Sequence, residues 1–199
     1  MIDAASAAVP GPAFDARLAA RFLDVIEHDI VPLTRRGVAT GDKIFGAALL
    51  RKDDLSLVLA ETNHETANPL WHGEVHCLKS FYELPERPAT GELLFLSTHE
   101  PCSLCLSAIT WTGFDNITYL FSHEDSRDAF AIPHDLRILR EVFGGGYRRE
   151  NAFWTSRPIS ALAAGSPELT ARIEDLTETY DELSSIYQAG KGAAGIPLA

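Results

Sequence analysis

Apolar residues recur along the chain at two spacings, and the switches between them outline its elements. Phe14, Leu18, Phe22, Val25, Ile26 and Ile30 follow the steps of one helix face. They predict a helix from Phe14 to about Val31, broken by Pro32 and the segment Gly37 to Asp42. Phe45 to Leu50 and Leu55 to Glu61 read as two strands around a polar turn, Arg51-Lys52-Asp53-Asp54. Asn63 to Trp71 reads as a loop, and His72 to Tyr82 as a helix stopped by Pro85 and Pro88. Leu93 to Ser97 is a short apolar run suited to a buried strand. Thr98 to Pro101 then lead into a helix from about Cys102 to Trp111, with Pro101 close to a favoured first-turn position. Ile117 to Phe121 predicts another strand, followed by a polar loop rich in acids and histidine. Leu136 to Val142 reads as a helix ended by Gly144-Gly145-Gly146, and Tyr147 to Ile159 is ambiguous, with a last strand as one option. Leu169, Ile173, Leu176, Tyr180, Leu183 and Tyr187 make Glu168 to Tyr187 an amphipathic helix that must cover something.

Strands alternating with helices predict an α/β domain with helices on both faces of a sheet. The expected organisation is a loose Ala-rich leader over 1–12, one domain over 13–160, and a C-terminal amphipathic helix with a small-residue tail over 161–199. A chain of 199 residues with 46% apolar composition and a mean hydropathy of −0.03 has length enough for a proper core. No run approaches the roughly 18 apolar residues of a membrane span, and the first residues lack the basic and apolar regions of a secretory signal. A membrane partner is therefore not expected. The 28 acidic residues outnumber the 17 basic ones, for a net charge of −11. Such a surface repels phosphate backbones and argues against a nucleic-acid partner. Three cysteines, Cys77, Cys102 and Cys105, suit metal or redox chemistry in a reducing compartment such as the cytoplasm better than a disulfide framework.

The chemistry concentrates in two short stretches, His72-Gly73-Glu74 and Pro101-Cys102-Ser103-Leu104-Cys105. Together they hold three zinc-type ligands, His72, Cys102 and Cys105, and one acid, Glu74, that is not needed as a ligand. A structural zinc site takes four protein ligands, whereas a catalytic one keeps a position for water. The start of a helix favours the two thiolates, and their i, i+3 spacing puts both sulfurs on one side of its first turn. A closed structural site would need a fourth ligand, for which Cys77 and His76 are the near candidates. A redox pair gives no use for the distant His-x-Glu. A zinc-protease helix needs Glu directly after its first His, where this chain has Gly73. The balance favours a catalytic site with one Zn²⁺ per chain and Glu74 as its proton carrier.

His-x-Glu followed by Pro-Cys-x-x-Cys is a signature of the zinc deaminases. The chain resembles the cytidine and deoxycytidylate deaminase superfamily, and within it the branch of guanine deaminases, cytosine deaminases and tRNA adenosine deaminases. The resemblance runs from about Phe14 to Phe143. Phe45-Gly46-Ala47-Ala48-Leu49 resembles the family's PFGA strand, with Ile44 where Pro is common. Asn68 to Val75 resembles D-P-T-A-H-A-E-V, and Glu100 to Cys105 resembles E-P-C-x-M-C. The departures are Trp71 for a small residue, Gly73 for Ala and Leu104 for Met.

This resemblance implies a three-layer α/β/α sandwich around a five-stranded mixed sheet, with the C-terminal helix as an addition, and assembly as a homodimer. It implies hydrolytic deamination of a small nucleobase or nucleoside-like substrate, with guanine the first guess. Cytosine or cytidine, and then tRNA adenosine, come next, and a non-catalytic zinc-stabilised binding domain is the alternative of another class. Asn63 is expected to hold the substrate ring, and Phe45, Trp71 and Trp111 to line the pocket, with Trp71 reshaping it. Asp135 is the candidate second carboxylate. It reads equally as the N-cap of a helix beginning at Leu136, the commoner use of such an Asp. The C-terminal segment either closes the pocket or simply packs on the domain.

Overall fold

In the computed structural model, which describes residues 11–198, β1 (Gly46–Arg51) and β2 (Leu57–Thr62) form the expected hairpin. Residues 1–10 of the expected leader lie outside the described residues. β1 also pairs antiparallel with β3 (Leu93–His99), while β3, β4 (Asn116–Phe121) and β5 (Thr155–Pro158) run parallel to one another. The five-stranded order is β2-β1-β3-β4-β5. β1 is antiparallel to both of its neighbours, so the C-terminal ends of β2 and β3 lie together at its N-terminal end. Gly46 faces Thr62 on one side and Ala47 faces Ser97 on the other. The loop carrying His72 and the turn carrying Cys102 leave the sheet from these two ends, where open α/β sheets place their ligands.

Alternation along β1 sends Ala47 and Leu49 to one face and Ala48 and Leu50 to the other. The first face packs with Phe95 and Ile117 against α3 (Gly73–Glu83) and α4 (Ser103–Trp111), through Cys77, Leu78, Phe81, Leu106 and Ile109. The second face packs with Leu94, Leu96 and Leu120 against α1 (Ala16–Val25), α2 (Val31–Ala39) and the long C-terminal helix. Helices thus cover both faces of a mixed five-stranded sheet, the expected three-layer α/β/α arrangement. The C-terminal helix, α8 (Pro167–Gly190) in chain order, buries Leu176, Tyr180 and Leu183 in the same core as Phe22 and Ile26. Leu176 and Leu183 each contribute about 1.5–3 kcal/mol by leaving water.

Three local features differ from the sequence expectation. The first helix does not stop at Pro32. A π-helical turn, Ile26–Ile30, joins α1 to α2, and the Val31 N–H reaches the Ile26 carbonyl. This shift of the ladder places Pro32 in the first turn of α2, where its missing N–H costs little. The acidic loop after β4 is a short helix, α5 (His123–Asp128), capped by Ser122 with Asp125 reaching back to the Ser122 N–H. The next helix, α6 (His134–Phe143), starts before Leu136, and Gly144 ends it in the left-handed conformation. The ambiguous stretch supplies β5, followed by the single turn α7 (Ile159–Leu162).

Candidate active site

His72 sits immediately before α3, and Cys102 and Cys105 occupy the cap and the first turn of α4. The Cys102 and Cys105 sulfurs lie 3.5 Å apart, and His72 Nδ1 lies 3.4 and 3.7 Å from them. Zinc bonds of about 2.0–2.1 Å to nitrogen and about 2.3 Å to sulfur put tetrahedral ligand atoms about 3.5–3.8 Å apart. The donor set and its spacing therefore fit zinc, and among the described residues these three form the one such group. Neither His76 nor Cys77 joins it. His76 Nδ1 turns to the Thr62 carbonyl, and Cys77 is buried in the core beneath α3. The close meeting of α3 with the sheet depends on two glycines. A Cβ on Gly73 would come within 2.8 Å of Gly46 Cα and 3.0 Å of the Phe45 carbonyl oxygen. That contact accounts for glycine where the resembling motif has alanine.

Glu74 is buried behind the ligands. Its Oε2 lies 3.3 Å from Cys105 Sγ, and its Oε1 lies 3.0 Å from Ser97 Oγ. Burial, and then the charge of Cys102, push its carboxyl up to about 7. The hydrogen bond from Cys105 and the contact with His72 hold the Cys102 thiol well below its ordinary value. Burial alone would lower His72, but the bond and charge of Cys102 outweigh it and raise the imidazole to about 9.

The ligands open onto a cavity of about 370 Å³. Phe45, Leu104, Ile132 and Ile138 supply apolar wall, Lys43, Glu65 and Asp135 supply charge, and the tail residues Ile196 to Leu198 lie along it. Asp135 is not the helix cap, because Pro133 takes that position and Asp135 falls in the first turn. Burial and then the charge of Cys102 raise its carboxyl to about 6. Phe45 lines the cavity as expected, whereas Asn63, Trp71 and Trp111 do not. The Asn63 amide donates to Glu65 at 2.7 Å and accepts the Gly73 N–H at 2.5 Å, so it caps the start of α3. Trp71 lies flat beside His64 and His76, each 5.8 Å between ring centres, with the Lys79 ammonium over its own ring. Its bulk is taken up by that stack, and it does not reshape this cavity. Trp111 is 91% exposed at the far end of α4, too remote from the ligands to line the cavity of its own chain.

Sequence reasoning missed two contributors. One is the buried pair Lys43 and Glu65 beside His72, with Lys43 Nζ 2.8 Å from Glu65 Oε1. Another is Arg149, which with Tyr147 and the His123 N–H holds the buried Glu100 just ahead of Cys102. The tail, read from the sequence as either closing the pocket or packing on the domain, lies along the cavity wall.

Residues 28–121 match the family model described as the cytidine and deoxycytidylate deaminase zinc-binding region. No relative among curated protein sequences matches the chain. Among solved structures, guanine deaminase from Nitrosomonas europaea is similar at 19% identity and a TM-score of 0.51, over 86% of this chain and 90% of that one. A mutant structure in complex with 8-azaguanine is similar at 20% identity and a TM-score of 0.55, over 95% and 98%. Guanine deaminase from Bacillus subtilis is similar at 24% identity and a TM-score of 0.51, over 67% and 80%. At these identities the structural likeness speaks for the fold alone. The family match and the converging His72, Cys102 and Cys105 speak for the chemistry, that of a zinc-dependent hydrolase acting on C–N bonds. Residues 28–121 thus carry the zinc-binding region of the cytidine and deoxycytidylate deaminases, with His72, Cys102 and Cys105 brought together inside it.

Proposed function

We propose that this deaminase replaces the exocyclic amino group of a free nucleobase, or a similar aminated heterocycle, by a carbonyl with release of ammonia. Guanine is the first substrate to test. The observation that carries this reading is a metal triad opening onto a small, largely apolar cavity with Glu74 packed against one of its ligands. About 370 Å³ lies at the low end of the usual 300–1,000 Å³ for ligand pockets. The tail beside it suits a compact ring, and the charge of −11 disfavours a polynucleotide. The neighbours named as guanine deaminases, and a further one in complex with 8-azaguanine, support guanine as the first probe. Among the described residues no helix is long and apolar enough to cross a membrane.

Zinc held by His72, Cys102 and Cys105 would supply Lewis acidity that brings the ionisation of water towards neutral pH. Glu74 takes the water proton on a carboxylate oxygen and gives it to the ring nitrogen, then takes the second proton from the hydroxyl now on the ring carbon and passes it to the departing amine as the carbonyl forms. Phe45, Leu104 and Ile138 hold the ring and exclude water. Asp135 is the second acid of the cavity, and Asn63 supports the ligand loop through Gly73.

The test is ammonia release from guanine, cytosine, cytidine, adenosine and aminated triazines, with and without a zinc chelator. Guanine turnover that chelation removes and zinc restores is the expected result. Turnover of cytosine or cytidine without guanine would replace the substrate assignment. No turnover of any compound by zinc-loaded protein would overturn it.

We also propose a homodimer, working in a reducing compartment such as the cytoplasm. Trp111 and Phe143 are 91% and 64% exposed along one groove between α4 and α6, and exposed apolar faces of this kind mark association sites. The three buried free cysteines fit a reducing compartment. Light scattering should give twice the chain mass, and a single-chain mass would remove the dimer.

A further inference from the structure

We propose that Glu65 is the outer carboxylate of the metal centre, a positioning residue that holds His72 and is itself held by Lys43 and Asn63. This rests on His72, Cys102 and Cys105 being zinc ligands. The two nitrogens of His72 face different partners. Nδ1 turns to the two sulfurs, and Nε2 lies 3.6 Å from Glu65 Oε1. That separation is an ion-pair contact, one short step from a hydrogen bond.

The carboxylate has little freedom to be anywhere else. The Glu65 side chain is 1% exposed. Lys43 Nζ donates to Oε1 at 2.8 Å and Asn63 Nδ2 donates to Oε2 at 2.7 Å, one donor on each oxygen. Asn63 in turn accepts the Gly73 N–H, so the frame that holds Glu65 also holds the residue next to His72. A ligating histidine commonly gives its second N–H to a carboxylate, which sets its tautomer and orientation and raises its basicity.

Lys43 explains how such a carboxylate is tolerated. With zinc bound, its charge balances the two thiolates, so Glu74 and Glu65 are the carboxylates beside the ligands. The Lys43 side chain is itself 6% exposed, and it cancels the charge that Glu65 brings. An apolar pair of similar volume would commonly be at least as stable as a buried ion pair, so stability gives little reason for this one. Its place against His72 gives one.

The test is zinc affinity, measured by titrating metal-free protein with Zn²⁺ against a competing chelator. Glu65→Gln should weaken zinc binding about 10- to 100-fold. It leaves Lys43 unpaired, so the Lys43→Met, Glu65→Gln double variant removes both charges and should show the same loss without a stranded ammonium. Loading with Co²⁺ adds a readout that a merely structural pair would not move. The visible bands of the metal should shift in both variants. Wild-type protein that binds no zinc would overturn the metal reading and this proposal with it. Wild type binding one zinc, with both variants binding it equally well and with unshifted cobalt bands, would overturn this proposal alone.

Discussion

Glu74→Gln should lower ammonia release by about 10²–10⁴-fold while one zinc per chain stays bound. Glutamine keeps the shape of the side chain and loses the ability to take a proton. Glu74 lies outside the His72, Cys102 and Cys105 group, so the metal should be retained. Stability should hold, because a neutral amide costs less to bury than a carboxylate, and Glu74 is 3% exposed. The measurement is turnover on the substrate found in the panel, with metal content by elemental analysis and a melting curve alongside. Activity within a few-fold of wild type would sink Glu74 as proton carrier. Loss of zinc would make it a ligand instead.

Arg149→Ala carries the largest expected effect on stability, about 3 kcal/mol. The Glu100 side chain is fully buried, and the Arg149 guanidinium meets it with two bonds of 2.7 and 3.0 Å. Burial would raise the Glu100 carboxyl, and the Arg149 bonds reverse that and hold it below its ordinary value. Removing Arg149 leaves a buried carboxylate held by the Tyr147 hydroxyl, the His123 N–H and the His123 ring nitrogen 3.7 Å away. The arginine itself is half-exposed, which keeps the expected loss at the low end for a broken buried pair. For a chain of this length the melting temperature should fall by about 6–12 °C. Calorimetry decides. A fall of less than about 2 °C would mean that Tyr147 and His123 satisfy Glu100 without the arginine.

The metal centre was legible because its residues carry their chemistry in a fixed local pattern. His72, Glu74, Cys102 and Cys105 need only two helix starts to bring them together, and the alternation of apolar positions placed both. The sheet and its two helical layers followed from the same alternation. Periodicity could not show where Trp71 and Trp111 point, because that depends on partners such as His64 and His76 that only the fold assembles. The Pro32 break failed because a π turn, invisible in the apolar spacing, absorbed it. Asp135 carried a competing reading as a cap because the start of α6 was read two residues late. Lys43 and Glu65 left a weak trace. The hairpin register, Gly46 opposite Thr62 and Ala47 opposite Glu61, brings them opposite each other when it is continued beyond the strand ends. Opposite charges at mirrored positions flanking a hairpin mark a pair that a reading of strands alone passes over.

The cavity wall is drawn from two separate portions of the chain. Lys43, Phe45, Glu65, His72 and Cys102 come from the portion that matches the family model, and Ile132, Asp135, Ile138 and Ile196 to Leu198 come from beyond it. The metal and its acid thus lie wholly in the first portion, while the wall that meets the ring is shared between the two. Substitutions in the later portion can change the admitted ring while the metal, its acid and their supports stay untouched. A fold divided in this way can diverge towards new heterocycles by altering one helix start and a few tail residues, and the deamination itself need not be invented again.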